Sequence, residues 1–306
     1  MVRESGPIIQ NQVSVLVSVS CTTYNHAAYI RQCLDGILMQ QCSFPFEIVI
    51  HDDASTDGTR NILEEYQQRF PDRFFPMYQS QNQYALGKRG MMARYNFNRC
   101  RGKYIALCEG DDYWTDPYKL QKQIDFLEAH PEVNISMGKI CYFFEKEQRF
   151  ENKKEFIKIH PDAIFSLGDY LKQPFSQTSS FVLRKQNITI PSWYFETMTG
   201  DQSLVVIFAG PNGKIKVHDD YFSVYRVNKN SLMNRQLIQV LRNNNATFRH
   251  WDEYLGGQYH RLIQARIREN QLLCVVFSPA WVQKLYKHPF TEALLQGIYR
   301  IIHRLK

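Results

Sequence analysis

A chain of 306 residues with 44% hydrophobic and 22% charged content is long enough for one large α/β domain or two smaller ones, and too apolar for disorder to be the default. Seven cysteines without a C-x-x-C pair argue against a zinc site or a disulfide framework, and the longest apolar stretches, near 13–19 and 272–277, fall short of the roughly 20 residues that span a bilayer. The net charge of +7 favours anionic partners in general, but the basic residues are dispersed and no nucleic-acid motif accompanies them, so no nucleic acid is expected.

Residues 1–12 are polar and read as a flexible N-terminus without an apolar h-region, which sets the expectation of a cytoplasmic protein. The run 13–20, V-S-V-L-V-S-V-S, predicts a first strand leading into the loop Cys21-Thr22-Thr23-Tyr24-Asn25. Residues 26–41 then place Ile30, Leu34, Ile37 and Leu38 at helical spacing. A second strand, 46–51, ends in H-D-D-A-S-T-D-G-T at 51–59, ahead of an amphipathic helix carrying Ile62, Leu63 and Tyr66. A third strand at 74–79, a polar loop at 80–89 with Gly87, Lys88 and Arg89, and a helix at 91–100 follow. The fourth strand, 104–108, runs straight into Glu109, Asp111 and Asp112, with a helix opening near Asp116 and Pro117.

Strand and helix alternating at such short intervals predict an α/β fold, a mostly parallel sheet with helices on both faces. Such sheets bind ligands beyond the carboxyl ends of their strands, where the acids of this chain lie. Carboxylates at this spacing can converge on a hard cation, Mg²⁺ or Mn²⁺. The alternative is an acidic approach to a helix N-terminus, which Asp116 satisfies by itself as the cap. Asp52 reads either as a ligand contact or as an Asx turn with Ser55 and Asp57, and Asp53 as an acceptor for a base or a ribose hydroxyl. Neither G-x-G-x-x-G nor G-x-x-x-x-G-K-[ST] occurs.

After His130-Pro131 the pattern changes. An apolar, aromatic run at 135–144 precedes a charged connection at 145–158, a short helix at 166–172 and a strand at 177–183 that completes the sheet. Asp201 opens an apolar helix that stops at Gly210-Pro211, and it reads either as that helix's cap or as a general base facing a cleft. Segments 214–217 and 221–227 predict a hairpin around His218-Asp219-Asp220, with Tyr225-Arg226 near its end. Residues 232–268 are polar-amphipathic helix, and 272–306 carry two more basic helical segments that either pack on their own domain or touch an anionic membrane surface. The expected organisation is a tail at 1–12, a domain at 13–230 with a nucleotide half (13–130) and an acceptor half (131–230), and a helical extension at 231–306.

T-T-Y-N at 22–25, H-D-D-A-S-T-D-G-T at 51–59, E-G-D-D at 109–112 and G-D-Q at 200–202 stand in one order. On these four motifs, over about 13–230, the chain resembles the family 2 glycosyltransferases, inverting enzymes of the GT-A fold that use nucleotide sugars. The resemblance implies that Thr23, Tyr24 and Asn25 with Asp53 and Ser55 hold base and ribose. It also implies that the D-x-D position at Glu109-Gly110-Asp111, with Asp112, holds Mn²⁺ or Mg²⁺, and that Asp201 is the catalytic base. Arg94, Lys88 and Arg226 are candidate diphosphate contacts, with a solvated surface charge as the alternative reading of each, and Asp111 is expected at the bound donor as well as at the metal. The expected donor is a nucleoside diphosphate sugar, in first place a UDP-sugar, and the expected acceptor a glycan or lipid-linked hydroxyl in surface polysaccharide or lipopolysaccharide assembly. Two departures stand out: Glu109 replaces the usual first Asp, and Asn228 occupies the position of a His that often follows Y-R. A sugar nucleotidyltransferase would need a basic glycine-rich loop after the first strand, and 21–25 has neither Gly nor Lys. A glycan-binding scaffold without chemistry is the other reading.

Overall fold

The computed structural model describes residues 14–152, 163–175, 177–185, 188–227 and 232–277, the side chains of 232–238 and 276–277 excepted. The expectations for the N-terminal tail, for Asn228 and for the basic segment beyond 277 lie outside these residues.

Among the described residues ten strands form one mixed sheet. β1 (Val17–Thr23), β2 (Phe46–Asp52), β3 (Phe74–Tyr78) and β4 (Tyr104–Glu109) are parallel to one another in the order β3-β2-β1-β4. Beyond β4 the order continues with β9 (Val182–Arg184), β6 (Val133–Phe144), β10 (Lys214–Val227) and β5 (Tyr113–Trp114). Here β9 is antiparallel to both β4 and β6, while β10 is parallel to β6. The short strands β7 (Arg149–Asn152) and β8 (Ile164–Ser166) pair antiparallel with β6 and β10. The carboxyl ends of β1, β2 and β4 therefore share one edge.

Two apolar layers cover the sheet. On one side α1 (Ile30–Leu38), α2 (Thr59–Arg69) and α3 (Lys119–Ala129) bury Ile30, Leu34, Ile37, Leu63, Leu120 and Ile124 against β1 and β2 residues such as Val17, Val19 and Ile48. On the other side α4 (Leu167–Lys172), α5 (Gly200–Ala209), α6 (Leu232–Tyr254) and α7 (His260–Phe277) close over Ile105, Leu107, Ile135 and Ile215. The expected strand–helix alternation in the first half is present, and so are the polar positions that permit it. Ser18 and Glu47 are buried in β1 and β2, but Ser18 donates to Glu47 (2.6 Å) and Glu47 pairs with Arg101.

Four local expectations differ from the structure. The 91–100 helix is a π-helical turn, Met92–Phe97, a form that tends to mark functional positions. Residues 177–183 are not one strand: Thr178–Ser180 form a 3-10 turn because Trp114 Nε1 and Gln123 Nε2 take the carbonyls of Ser179 and Ser180. The hairpin at 214–227 is instead a single strand running along β6, and His218-Asp219-Asp220 is absorbed as a bulge. There His218 meets Ser136, and Asp219 and Asp220 pair with Lys139 and Lys122. Finally, the long helix from 232 ends at Tyr254, where Gly256 and Gly257 adopt positive φ (60° and 74°) and turn the chain back as α7. Phe248, Trp251, Leu255, Ile263 and Ile267 of the expected extension are buried in the same core as α5, while Leu272 and Val275 further along α7 are exposed. No helix among the described residues is long and apolar enough to cross a membrane.

Candidate active site

The loop after β1 and the loop after β2 are stitched to each other. Asn25 sits at φ 54°, a conformation Asn tolerates better than most residues, and its Oδ1 accepts the N–H of Thr56 at 2.8 Å. Its own N–H donates to Ser55 Oγ (2.9 Å), His26 N–H to Thr59 Oγ1 (2.9 Å) and Ala27 N–H to Asp57 Oδ2 (2.9 Å). Ser55 in turn donates to Asp52 Oδ1 at 2.5 Å and its N–H reaches Asp52 Oδ2, which is the Asx-type turn among the two readings of Asp52. The S-T-D-G-T motif thus shapes the wall of a site. Tyr24, in the first of these loops, is 44% exposed.

Asp53, expected at the ribose, is 3% exposed, and its two oxygens accept the N–H groups of Gln83 (2.7 Å) and Tyr84 (3.0 Å). In this structure it holds the 79–91 loop, whose backbone donors need an acceptor once buried. Arg94, on the π-helical turn, donates from Nε to Arg89 O (3.2 Å) and lies 4.3 Å over the Phe195 ring. It is partly buried between that loop and the 3-10 helix Ser192–Glu196.

Strand β4 delivers the acids. Gly110 N–H donates to Thr22 O, and a Cβ on Gly110 would lie 2.9 Å from His26 Nδ1 and Thr23 Oγ1, so only glycine lets the acid loop press against the first loop. Asp111 Oδ2 is 4.0 Å from His26 Nε2, a neighbour that the sequence reading did not select. The buried atoms Thr23 Oγ1 and His26 Nδ1 have no hydrogen-bond partner among the described residues. Burial, then Asp111, then Asp201, push the Glu109 carboxyl up to about 8.

The three acids do not converge as one ligand set. Among the described residues no group of three His, Cys, Asp or Glu side chains is arranged to hold a metal ion. In the turn Asp112 N–H closes onto Glu109 O, and Asp112, 1% exposed, accepts the N–H of Arg226 on β10 through Oδ1 at 3.0 Å, its Oδ2 remaining buried without a hydrogen-bond partner among the described residues. Arg226 is itself a brace rather than an open diphosphate contact. Its Nε donates to Asp111 O (2.9 Å) and Nη2 to Gln32 Oε1 (2.7 Å), with the guanidinium 4.7 Å over Tyr29. At the edge, Glu109 and Asp112 in the field of Asp111, Glu109 also in that of Asp201, and the unsatisfied Thr23 Oγ1, His26 Nδ1 and Asp112 Oδ2 alongside fit a divalent cation, which would relieve the crowding of like charge.

Asp201 comes from the other half of the chain. It stands in the first turn of α5, next to the N-cap Thr199, and burial raises its carboxyl pKa while main-chain N–H groups of the helix end oppose the rise. Tyr194, 2% exposed and likewise absent from the sequence reading, packs between the two halves. A Cβ on Gly90 would meet its ring at 2.6 Å and one on Gly200 its hydroxyl at 3.1 Å, and the charges of Asp201 and Glu109 both reach its phenol.

A sequence profile described as Glycosyl transferase family 2 matches residues 18–190. An uncharacterized protein of Mycobacterium tuberculosis is 37% identical over 188 residues, 58% of this chain and 52% of that protein. TuaG of Bacillus subtilis, named for teichuronic acid biosynthesis, is 37% identical over 113 residues, 37% of this chain and 42% of that protein. The chain thus spans about half the length of the curated relatives it matches. Among solved structures, TarS 1–349 of S. aureus in complex with UDP-GlcNAc aligns with a TM-score of 0.58 at 18% identity, over 91% of this chain and 78% of that one. The mannosyltransferase PcManGT of Pyrobaculum calidifontis, in complex with GDP-Man and Mn²⁺, aligns with a TM-score of 0.57 at 14% identity, over 95% and 86%. These two share the GT-A fold with this protein. With the profile covering more than half of its length, the chain belongs to glycosyl transferase family 2.

Proposed function

We propose that this protein transfers a sugar, with inversion, from a nucleoside diphosphate sugar to a hydroxyl of a glycan or lipid-linked acceptor. The observation that carries the reading is the meeting of Asp201, from the acceptor half, with Glu109 and the Asp111 loop at the carboxyl edge of the sheet. Asp201 accepts the proton of the acceptor hydroxyl as its oxygen bonds to the anomeric carbon, while the bond from that carbon to the diphosphate oxygen breaks and the nucleoside diphosphate departs. Burial makes Asp201 a stronger base than an exposed carboxylate, which suits that step. Tyr24 and the stitched loop around Asn25 and Ser55 form the wall for base and ribose, and Asp53 acts by holding the 79–91 loop closed behind them. Asp111, with Glu109 beside it, would hold Mn²⁺ or Mg²⁺, whose contribution when bound is to neutralise charge on the departing diphosphate. A UDP-sugar is the first donor to test, supported by the UDP-GlcNAc complex of TarS, with the GDP-Man complex of PcManGT as the contrasting case. The biosynthesis for which TuaG is named supports a setting in polysaccharide assembly, and we propose that the reaction takes place at the cytoplasmic side of a membrane.

The test is nucleoside diphosphate release from a panel of nucleotide sugars, with and without Mn²⁺ or Mg²⁺, for the native chain and Asp201→Asn, with donor binding followed by calorimetry. One donor should be turned over in a metal-dependent way, and the variant should lose about 10²–10⁴-fold in rate with donor binding retained. If no nucleotide sugar binds with metal present, the chain is a scaffold of the same fold.

A further inference from the structure

Asp201 opens α5 after a short irregular stretch, 197–199, that follows the 3-10 helix Ser192–Glu196, and nearly every residue flanking it is tied to the C-terminal helices. On α6, Asn243 grips the backbone at two points: Oδ1 accepts Met198 N–H (2.8 Å) and Nδ2 donates to Glu196 O (3.2 Å). Asn244 Oδ1 accepts from the hydroxyl of Thr199, the residue that caps α5 (3.1 Å). Between them the buried hydroxyls of Thr197 and Thr247 meet at 3.0 Å. Past Asp201 the ties continue: Trp251 Nε1 donates to Ser203 Oγ (3.1 Å), and Arg266 of α7 donates to Gln202 Oε1 (3.0 Å) while its guanidinium lies 4.7 Å over Phe248. All of these partners lie beyond residue 190, where the family profile ends.

Resting on the function proposed above, we propose that α6 and α7 are a positioning arm for the Asp201 carboxylate, with Asn243 as its principal positioning residue. A side-chain amide that takes one backbone N–H and one C=O of the same segment works like a single rung of a β-ladder, fixing both the height and the rotation of the segment. Among the described residues, the clamp's hydrogen bonds named above end on residues 196–203 and none on the T-Y-N, D-D-A-S or E-G-D-D motifs. Loosening the clamp should therefore change the chemical step and leave the donor where it was.

The experiment compares the full chain with Asn243→Leu, Asn243→Asp and Asn244→Ala, measuring kcat and donor KM for nucleoside diphosphate release, with Asp201→Asn as reference and thermal unfolding for each. Asn243→Leu is expected to lower kcat about tenfold to a hundredfold, the penalty for a reacting group misplaced by about 1 Å, with donor KM unchanged. Asn243→Asp, which keeps the acceptor for Met198 N–H, should recover part of that loss. If Asn243→Leu does not fold, Asn244→Ala, which loosens only the Thr199 hydroxyl, should show the same split at smaller size. A clamp variant that melts earlier but keeps kcat, or one in which donor KM rises as far as kcat falls, overturns the positioning role while a dead Asp201→Asn leaves the proposed function standing. An Asp201→Asn variant as active as the native chain removes the catalytic base itself, and this inference with it.

Discussion

His51, next to last in β2, is fully buried with its ring stacked at 4.3 Å on Tyr95, and neither ring nitrogen has a hydrogen-bond partner among the described residues. Burial pushes its pKa down to about 4, Asp53 pulling up and Arg99 pushing further down. His218 is likewise lowered to about 4, chiefly by burial. Between about pH 6.5 and 4 the unfolded chain thus binds protons that the folded chain refuses, so the stability these histidines permit is full above the unfolded value and lost as pH falls through that window. The raised Glu109 carboxyl acts in the opposite sense over the same range, so the test is differential: relative to the native chain, His51→Phe, which keeps the stack and removes the titration, should gain melting temperature as pH falls from 7 to 4.5. At this scale the chemistry of single residues was partly legible. The Asx-type role of Asp52 follows from its spacing to Ser55, whereas nothing near Asp112 in the sequence announces that Arg226 takes its carboxylate.

Gly36 lies in the middle of α1, where replacing glycine by alanine ordinarily gains about 1 kcal/mol of helix propensity. Here α1 runs against β5 so closely that a Cβ on Gly36 would sit 2.8 Å from the carbonyl oxygen of Trp114, a backbone atom that cannot swing aside. Overpacking of a rigid contact costs typically about 1–3 kcal/mol, which outweighs the gain. Gly36→Ala should therefore lower the melting temperature, and a rise would mean that the two elements can separate. The tightness reaches the site, because β5 continues directly from the acid loop and pairs with β10 two residues before Arg226. The same logic explains the local misreadings of the second half. A bulged strand and a hairpin share one hydropathy pattern, and only the pairing of β10 along β6 decides between them.

At the scale of the whole molecule, α6 and α7 are the part whose place the sequence did not reveal. Phe248, Trp251, Leu255, Ile263 and Ile267 are each at most 5% exposed. At about 1.5–3 kcal/mol for each buried side chain, their loss approaches the roughly 5–15 kcal/mol that holds a typical domain folded. A chain ended at residue 230 should accordingly lose its cooperative thermal transition by circular dichroism; a sharp transition near that of the full chain would show that the helices are dispensable. Their amphipathic pattern was plain in the sequence, but a stripe of apolar residues does not say which surface it will cover.

By itself the sequence determined the alternation of strands and helices in the first half, the edge at which ligand-binding loops gather, and the four motifs that mark the family. Those features depend on periodicity and turn chemistry within a few residues, so they survive without knowledge of the rest of the chain. Only the tertiary structure decided that Glu109 and Asp201 share one electrostatic site, that a backbone donor of β10 holds Asp112 and donors of the 79–91 loop hold Asp53, and that Asn243 reaches back to the segment carrying Asp201. Each of these joins residues far apart in the chain, and sheet order, register and helix docking, which bring them together, are properties of the packed molecule.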